Sequence, residues 1–452
     1  MAERSLARLA RPFVSLVERW YPDAYVFAIL LTLVTFAMAI GLTDTGPVEA
    51  LDVWGDGLAG LLAFTTQIAL TLILAHALAH TDAARTLLAW IAELPRSEFA
   101  AYFVVAVAAS LASLLAWSLG LAAGALLAAA VARAGRRRGL VLDYPLLVAS
   151  AYSGFVVWHM GYSGSSPLFV ATPGHAMEAA TGIIPVTETV FAPWNLAVAA
   201  VVIPLVALVC ALMRPERATP MPDHLLDEAD EDDGADPAAA SPGQALERWR
   251  PLSLLIGGLL ALWLARYFAA NGPALTLDVV NWSFLAAGLL LARSPVHYVQ
   301  LVTRAGATLG PILLQYPFYA GIMALMAGTG LVVVMSDFFV AFASPATLGF
   351  WAFVSGGVVN FFVPSGGGQW VVQGPVFIEA AKALDVPLPQ VVMGVAYGDQ
   401  WSNLIQPFWT IPLLAIAGLP LRSVLGYCFV TFAVSGLVFG TGLLLVGALA
   451  QG

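Results

Sequence analysis

Apolar runs as long as a hydrocarbon layer is thick recur along this chain, at about residues 25–43, 57–78, 144–171, 193–213, 252–270, 277–292, 312–335, 389–416 and 424–449. Nothing constrains the fold more. Hydrocarbon offers a backbone N–H or C=O no partner, so a run of this length must satisfy its own groups as an α-helix. The 277–292 run is the weakest, being short and carrying Asp278. Two further runs, 99–131 and 347–384, are long but interrupted, by Trp117-Ser118-Leu119-Gly120 and by Pro364-Ser365-Gly366-Gly367-Gly368-Gln369. The expected fold is an all-α polytopic membrane protein with about nine transmembrane spans plus two re-entrant hairpins. Composition agrees: of 452 residues, 60% are hydrophobic and 10% charged, unlike an ordinary soluble domain.

Arginine placement orients the chain, because cytoplasmic loops collect basic residues. With the N-terminus inside, the inner segments hold Arg85, Arg96, Arg133, Arg136, Arg137, Arg138, Arg214, Arg217, Arg248, Arg250, Arg293, Arg304 and Arg422. The outer loops 44–56, 173–192, 271–276 and 336–345 hold neither lysine nor arginine; Lys382 and Arg266 dissent. This works only if each interrupted run returns to the side it entered. Residues 1–20 carry Arg4, Arg8, Arg11 and Arg19 at helical spacing and read as an amphipathic helix on the cytoplasmic surface, not a signal peptide. Residues 21–213 form a first repeat with its hairpin at 99–134. An acidic, disordered cytoplasmic linker at 214–250 follows, then a connecting span at 251–271. The second repeat occupies 277–449 with its hairpin at 347–384. Beyond the tips, Tyr144-Pro-Leu-Leu-Val-Ala-Ser-Ala-Tyr parallels Pro389-Gln-Val-Val-Met-Gly-Val-Ala-Tyr. The extra span makes the second repeat start on the opposite side, an inverted repeat. Cys210 and Cys428, both inside spans and far apart in sequence, read as packing residues.

Chemistry concentrates at the interruptions. At the second tip Ser365, Gly366, Gly367, Gly368 and Gln369 offer N–H groups, a hydroxyl and an amide to a carboxylate, and the helix that follows adds its N-terminus. The bland reading is a tight turn or close helix contact. The run 389–416 is interrupted by Gly398-Asp399-Gln400-Trp401-Ser402-Asn403 and by Pro407 and Pro412, so it reads as one of two broken helices. Asp399, Ser402 and Asn403 suit a cation, either Na⁺ or a proton on the carboxylate; the alternative is a polar network locking helices together. The first half is softer, with Ser118 and Gly120 at its tip and Ser153, His159, Ser163, Ser165 and Ser166 in its break, but no acid matching Asp399. His159 stands equally as a ligand or a hydrogen-bonded packing residue. Asn360, just before the second tip, reads as bonding within its hairpin. His76 and His80, with only Asp82 as a third ligand, read as interfacial groups, not a metal site. The sequence has no P-loop, dinucleotide fingerprint, zinc-protease motif or nucleophile elbow, so neither an enzyme nor ATP-driven transport is expected. No cofactor is expected beyond Na⁺ as a candidate coupling ion, and no nucleic-acid partner.

At Val363-Pro-Ser-Gly-Gly-Gly-Gln-Trp-Val-Val-Gln-Gly-Pro375 and Ala396-Tyr-Gly-Asp-Gln-Trp-Ser-Asn-Leu-Ile-Gln-Pro407 the chain resembles the bacterial short-chain fatty acid transporter family, which includes permeases for acetoacetate and butyrate. Trp158-His-Met-Gly-Tyr-Ser-Gly-Ser165 adds to the likeness, and more distantly the chain is similar to aminobenzoyl-glutamate transporters of the wider ion-transporter superfamily. The resemblance implies a homodimer in the bacterial inner membrane, with a scaffold domain and an elevator-type transport domain built from hairpins and broken helices. In related dicarboxylate symporters the tips read Ser-Asn-Thr. Here they read Ser118-Leu119-Gly120 and Ser365-Gly366-Gly367, and only the serines carry over, which fits a smaller monocarboxylate. The expectation is secondary active, cation-coupled (H⁺ or Na⁺) symport of short-chain fatty acids. Ser365, the glycine run and Gln369 would hold the carboxylate, with Ser118, Gly120, Asn403 and His159 beside it. Asp399, Ser402, Asn403 and Ser153 would couple the cation. The alternative is an exporter or cation/proton antiporter of the same fold; a lipid-directed enzyme and an anion channel stand further off.

Overall fold

All regular structure among the described residues is helical. The computed structural model describes residues 24–175, 177–223, 225, 241–272, 277–306, 309–364 and 366–451. The expected amphipathic helix at 1–20, residues 224 and 226–240 of the acidic linker, and Ser365 lie outside them.

The chain opens with α1 (Ala24–Leu42), α2 (Pro47–Gly57), α3 (Leu62–Ala79) and the short α4 (Asp82–Ala92). A hairpin follows, of α5 (Glu98–Leu115) and α6 (Trp117–Arg137). The break expected at residues 117–120 shrinks to Ala116, which is extended at φ −154° and ψ 126°. Small residues let the arms close. Ser110 and Ser113 turn their hydroxyls back onto Ala106 O and Ala109 O, at 2.8 and 2.7 Å, and a side chain at Gly120 would run into Ser113. The far ends also meet. Arg138 donates to the carbonyls of Glu93 and Pro95, both at 2.9 Å, so the hairpin returns to the face it left.

A discontinuous helix comes next. Its halves are α7 (Tyr144–Ser153), continued by a 3₁₀ stretch to Met160, and α8 (Ser165–Ala171). The long α9 (Pro193–Leu212) closes the first half of the chain. The second half contains α10 (Arg250–Asn271), α11 (Leu277–Leu291), α12 (Pro295–Gly306), α13 (Gly310–Gly328) and α14 (Leu331–Val340). Its hairpin is α15 (Leu348–Val359) with α16 (Gly366–Ala383), its discontinuous helix is α17 (Leu388–Asn403) with α18 (Pro407–Ala417), and α19 (Leu421–Gln451) ends the chain. The order hairpin, discontinuous helix, long helix thus occurs twice.

Two sequence expectations shift. The run 312–335 is not one straight helix: it bends by 66° between α13 and α14, where Gly330 takes φ +72°, a left-handed conformation that favours glycine. The break in 389–416 lies later than expected. Helix persists through Asp399 and Asn403 and opens only at residues 404–406, because Pro407 disfavours the helical conformation in the residue before it; Gln406 sits at φ −99°, ψ 133°.

Among the described residues, α5, α6, α9, α10 and α19 are each long and apolar enough to cross a membrane, and the bent pair α13–α14 makes six candidates if taken as one. Both arms of the first hairpin are thus long enough to cross. Every residue of α7 and of its 3₁₀ continuation is buried, and in α17 every residue from Gln390 to Asn403 but Trp401 is, which places the polar face of α17 inside protein rather than against lipid.

Candidate functional site

The interior polar face of α17 meets both discontinuities and the second hairpin. Asp399, Gln400, Ser402 and Asn403 are all essentially inaccessible. Asn403 lies one turn beyond Asp399 and donates from Nδ2 to its Oδ1 at 3.0 Å, which aims the carboxylate along the helix. The first half holds Asn403 from the other side: Trp158 Nε1 donates to its Oδ1 at 3.1 Å and the Tyr152 hydroxyl to its carbonyl at 2.6 Å. The backbone N–H of His159 donates to Gln400 Oε1 at 3.0 Å.

The approach to the second tip is pinned to the same face. Asn360 Nδ2 donates to Asp399 O at 3.1 Å and to Ser402 Oγ at 2.7 Å, while its own carbonyl accepts from Gln406 Nε2 at 2.8 Å. Asn360 therefore bonds across to α17 and the break rather than within its hairpin, as the sequence reading had it. Gln369 and Gln373 do bond within the hairpin: Gln369 donates to Gly356 O at 2.8 Å and Gln373 to Ser355 Oγ at 2.6 Å. The glycines at 366–368 form the first turn of α16, where a helix has no internal acceptors for its N–H groups. That turn abuts the first break. Ser166 donates to Gly366 O at 2.8 Å, His159 Nε2 lies 3.1 Å from Ser165 Oγ, and a side chain at Gly366 would strike both His159 and Ser165.

The first tip enters from the opposite quarter. Trp117 N donates to Ser163 Oγ at 2.7 Å, and the Trp117 ring packs edge-on against Trp409 of α18, with centroids 5.1 Å apart. Trp409 in turn touches Trp158, so the aromatic layer joins tip, break and α18. Ser118 is fully buried in the first turn of α6.

Several of these side chains carry a buried polar atom without a hydrogen-bond partner among the described residues, as do others elsewhere in the fold. Ser118 Oγ, Asn360 Oδ1, Gln369 Oε1, Asp399 Oδ2 and Gln406 Oε1 are acceptor oxygens; Gln400 Nε2 and Trp409 Nε1 are donors. A buried polar atom without a partner costs about 1–3 kcal/mol, so each of them is a candidate contact for a polar guest. The oxygens suit a cation or a proton, and the indole and amide donors suit an anion. An ionised carboxylate enclosed without a cationic partner costs several kcal/mol; no described side chain forms a salt bridge to Asp399, so it calls for a proton or a metal cation.

The structure thus brings together Gly366, Gln369, His159, Asp399, Ser402 and Asn403, with Gly367 and Gly368 on the same turn and Ser118 and Gly120 at the neighbouring tip. Ser365 lies outside the described residues. Ser153 is turned elsewhere: its hydroxyl lies 2.9 Å from Thr431 of α19, beside the thiols of Cys210 and Cys428, which the fold brings close together. Trp158, Trp409 and Tyr152 were not singled out from sequence, because an aromatic in a membrane run gives no sign of whether it faces lipid or a site.

The chain matches the family model described as short chain fatty acid transporter over residues 5–446. An *Escherichia coli* (strain K12) protein named "Putative short-chain fatty acid transporter" is 41% identical over 443 residues, covering 97% of this chain and all of that one. A *Haemophilus influenzae* protein of the same name is 37% identical, covering 97% of this chain and 99% of that one. Solved structures are distant likenesses: the *Alcanivorax borkumensis* YdaH transporter at 16% identity and TM-score 0.48, covering 95% of this chain and 98% of that one, and *Neisseria gonorrhoeae* MtrF at 14% and 0.42, covering 97% of each. With the two tip and break motifs, an all-helical fold and a match along nearly its whole length, the chain belongs to the short-chain fatty acid transporter family.

Proposed function

We propose that this membrane transporter carries short-chain fatty acids or similar small monocarboxylates, such as butyrate and acetoacetate, in symport with a cation, Na⁺ or H⁺. One observation carries the reading: Asp399 is fully buried with Oδ2 unpartnered, on a face of α17 that hydrogen bonds tie to both the second tip and the first break. Asp399 Oδ2 takes the cation, with Asn403 bonded to the other carboxylate oxygen and Asn360 bonded to Ser402 on the same stretch of α17. The first turn of α16, with Gln369, and the His159 side of the first break take the carboxylate, and Ser118 closes the site from the first tip. A carboxylate moving with one cation crosses hydrocarbon as a neutral pair, which costs far less than a bare anion.

In this reading the two hairpin units form a transport domain that moves as an elevator against α1–α4 and α10–α14. The two halves are inverted repeats, the hairpins are re-entrant within about nine spans, and the protein is a homodimer of the bacterial inner membrane with a cytoplasmic N-terminus. The test is uptake of labelled butyrate and acetoacetate into proteoliposomes, with Na⁺ and H⁺ gradients imposed separately, for wild type and Asp399→Asn. Accumulation driven by one gradient and lost in the variant is the expected result. Absence of accumulation under either gradient by folded protein sinks symport and leaves the exporter or cation/proton antiporter reading, which flux in the reverse direction then tests.

A further inference from the structure

The amide of Asn403 stands between two partners that each accept only one arrangement. Its Nδ2 donates to Asp399 Oδ1 at 3.0 Å, and its Oδ1 accepts from Trp158 Nε1 at 3.1 Å. An indole N–H can only donate, and an ionised carboxylate can only accept. One orientation of the amide therefore satisfies both. Turned over, its NH₂ would meet the indole N–H and its oxygen would meet the carboxylate, so both bonds would be lost together.

Trp158 is held firmly enough to impose that choice. It lies in the 3₁₀ stretch that continues α7, where every residue is buried, and is itself 2% exposed. Phe155 stacks on its ring with centroids 5.7 Å apart and an interplanar angle of 10°, and Trp409 packs against it at 5.8 Å. A ring fixed in this way points its N–H in one direction. The backbone of Asn403 is held as well, since Tyr152 donates its hydroxyl to Asn403 O at 2.6 Å. The residue after Trp158 seats the stretch on α17 a second time, through the bond from His159 N to Gln400 Oε1 at 3.0 Å.

The consequence falls on Asp399. With Oδ1 taken by the amide, Oδ2 is the carboxylate oxygen left without a partner among the described residues. Without the indole donor the amide is free to turn, and Oδ1 and Oδ2 then compete for the guest.

We propose that Trp158 is a positioning residue for the coupling cation, acting through Asn403 to hold Asp399 with Oδ2 open. The proposal rests on the cation-coupled reading above. A group that orients a ligand from one bond further out tunes affinity much as the ligand itself does. The indole also lies beside the His159 ring, with centroids 3.6 Å apart, so the same turn of chain serves the cation through one residue and reaches the carboxylate side through the next.

The test is initial uptake of labelled butyrate into proteoliposomes, measured against the concentration of the driving cation at saturating butyrate and against butyrate at saturating cation. Compared are wild type, Trp158→Phe, protein carrying benzothienylalanine at position 158, Asn403→Ala, and Trp158→Phe combined with Asn403→Ala. Benzothienylalanine keeps the two fused rings and puts sulfur where the N–H was, so it removes the donor with the packing intact. Expected for both replacements of Trp158 is a rise of about tenfold or more in the half-saturating cation concentration. The half-saturating butyrate concentration at saturating cation should stay near that of wild type, and the benzothienylalanine protein should match wild type in gel filtration and melting. In the Asn403→Ala background Trp158→Phe should add nothing, because its route to Asp399 is gone. Unchanged cation dependence with benzothienylalanine overturns the proposal while leaving transport standing. Equal losses for cation and butyrate, or an effect of Trp158→Phe that persists in Asn403→Ala, reduce Trp158 to packing and overturn it too. Wild type whose uptake follows no cation sinks the symport reading, and the positioning role falls with it.

Discussion

Asn360 shows how one residue ties separate pieces of chain together. Its side-chain amide donates to Asp399 O and Ser402 Oγ and its backbone carbonyl accepts from Gln406, linking the second tip, α17 and the break at residues 404–406. Asn360→Ala removes both donors without adding a group that competes for space. Leaving a buried acceptor unsatisfied costs about 1–3 kcal/mol. We expect a loss of about tenfold or more in butyrate uptake with the protein still folded, measured as initial rates in proteoliposomes beside gel filtration and a melting curve. Wild-type rates would show that the tip does not depend on this residue. Asp399 and Asn403 were legible in the sequence because an acid and an amide in an apolar run have few uses there. The reach of Asn360 across to α17 was not, since a residue before a turn bonds within its own hairpin as readily as across to another helix. Ser153 shows the converse: the resemblance grouped it with Asp399 as a cation-coupling residue, and its hydroxyl lies beside Thr431 of α19.

At the scale of elements, the glycine run works through space as well as through backbone donors. Gly366 faces His159 and Ser165 so closely that any side chain must displace one of them, whereas a side chain at Gly367 would meet only Ser165 Cβ at an ordinary 3.7 Å. Gly366→Ala should therefore push α16 away from the first break at a cost of about 1–3 kcal/mol for overpacking, lowering both melting temperature and transport. Gly367→Ala should leave the melting temperature near that of wild type. A thermal melt in detergent and the uptake assay separate the two, and equal tolerance would mean that the tip does not press on the break. Sequence located both interruptions but misplaced their edges. Trp117–Gly120 and Asp399–Asn403 look like breaks, yet helix runs through both; it is lost at Ala116 in the first and, in the second, just ahead of Pro407, which disfavours helix in the residue before it.

For the whole molecule, segments assigned to one side by their arginines alone do come together on one face: Arg136 bonds Asp223, Arg137 and Arg138 bond Glu93, and Arg214 bonds Glu98 at 2.6 Å. A cysteine introduced by Glu49→Cys should react with a membrane-impermeant maleimide in intact cells, and one introduced by Arg136→Cys only after permeabilisation; the reverse pattern would turn the molecule over. Native Cys210 and Cys428 are buried and give little background. The sequence by itself determined that the chain is helical and membrane-bound, where its hairpins and polar interruptions fall, and which family it joins. Those follow from local causes: the length of apolar runs, the backbone needs of a chain in hydrocarbon, and motifs that are contiguous in sequence. Only the tertiary structure decided which interruptions meet, that the second tip leans on the first break, that Ser153 faces away, and that Trp158 bonds Asn403. Those depend on the rotation and offset of helices packed against one another, and a run of apolar residues carries no record of the angle at which it will be packed.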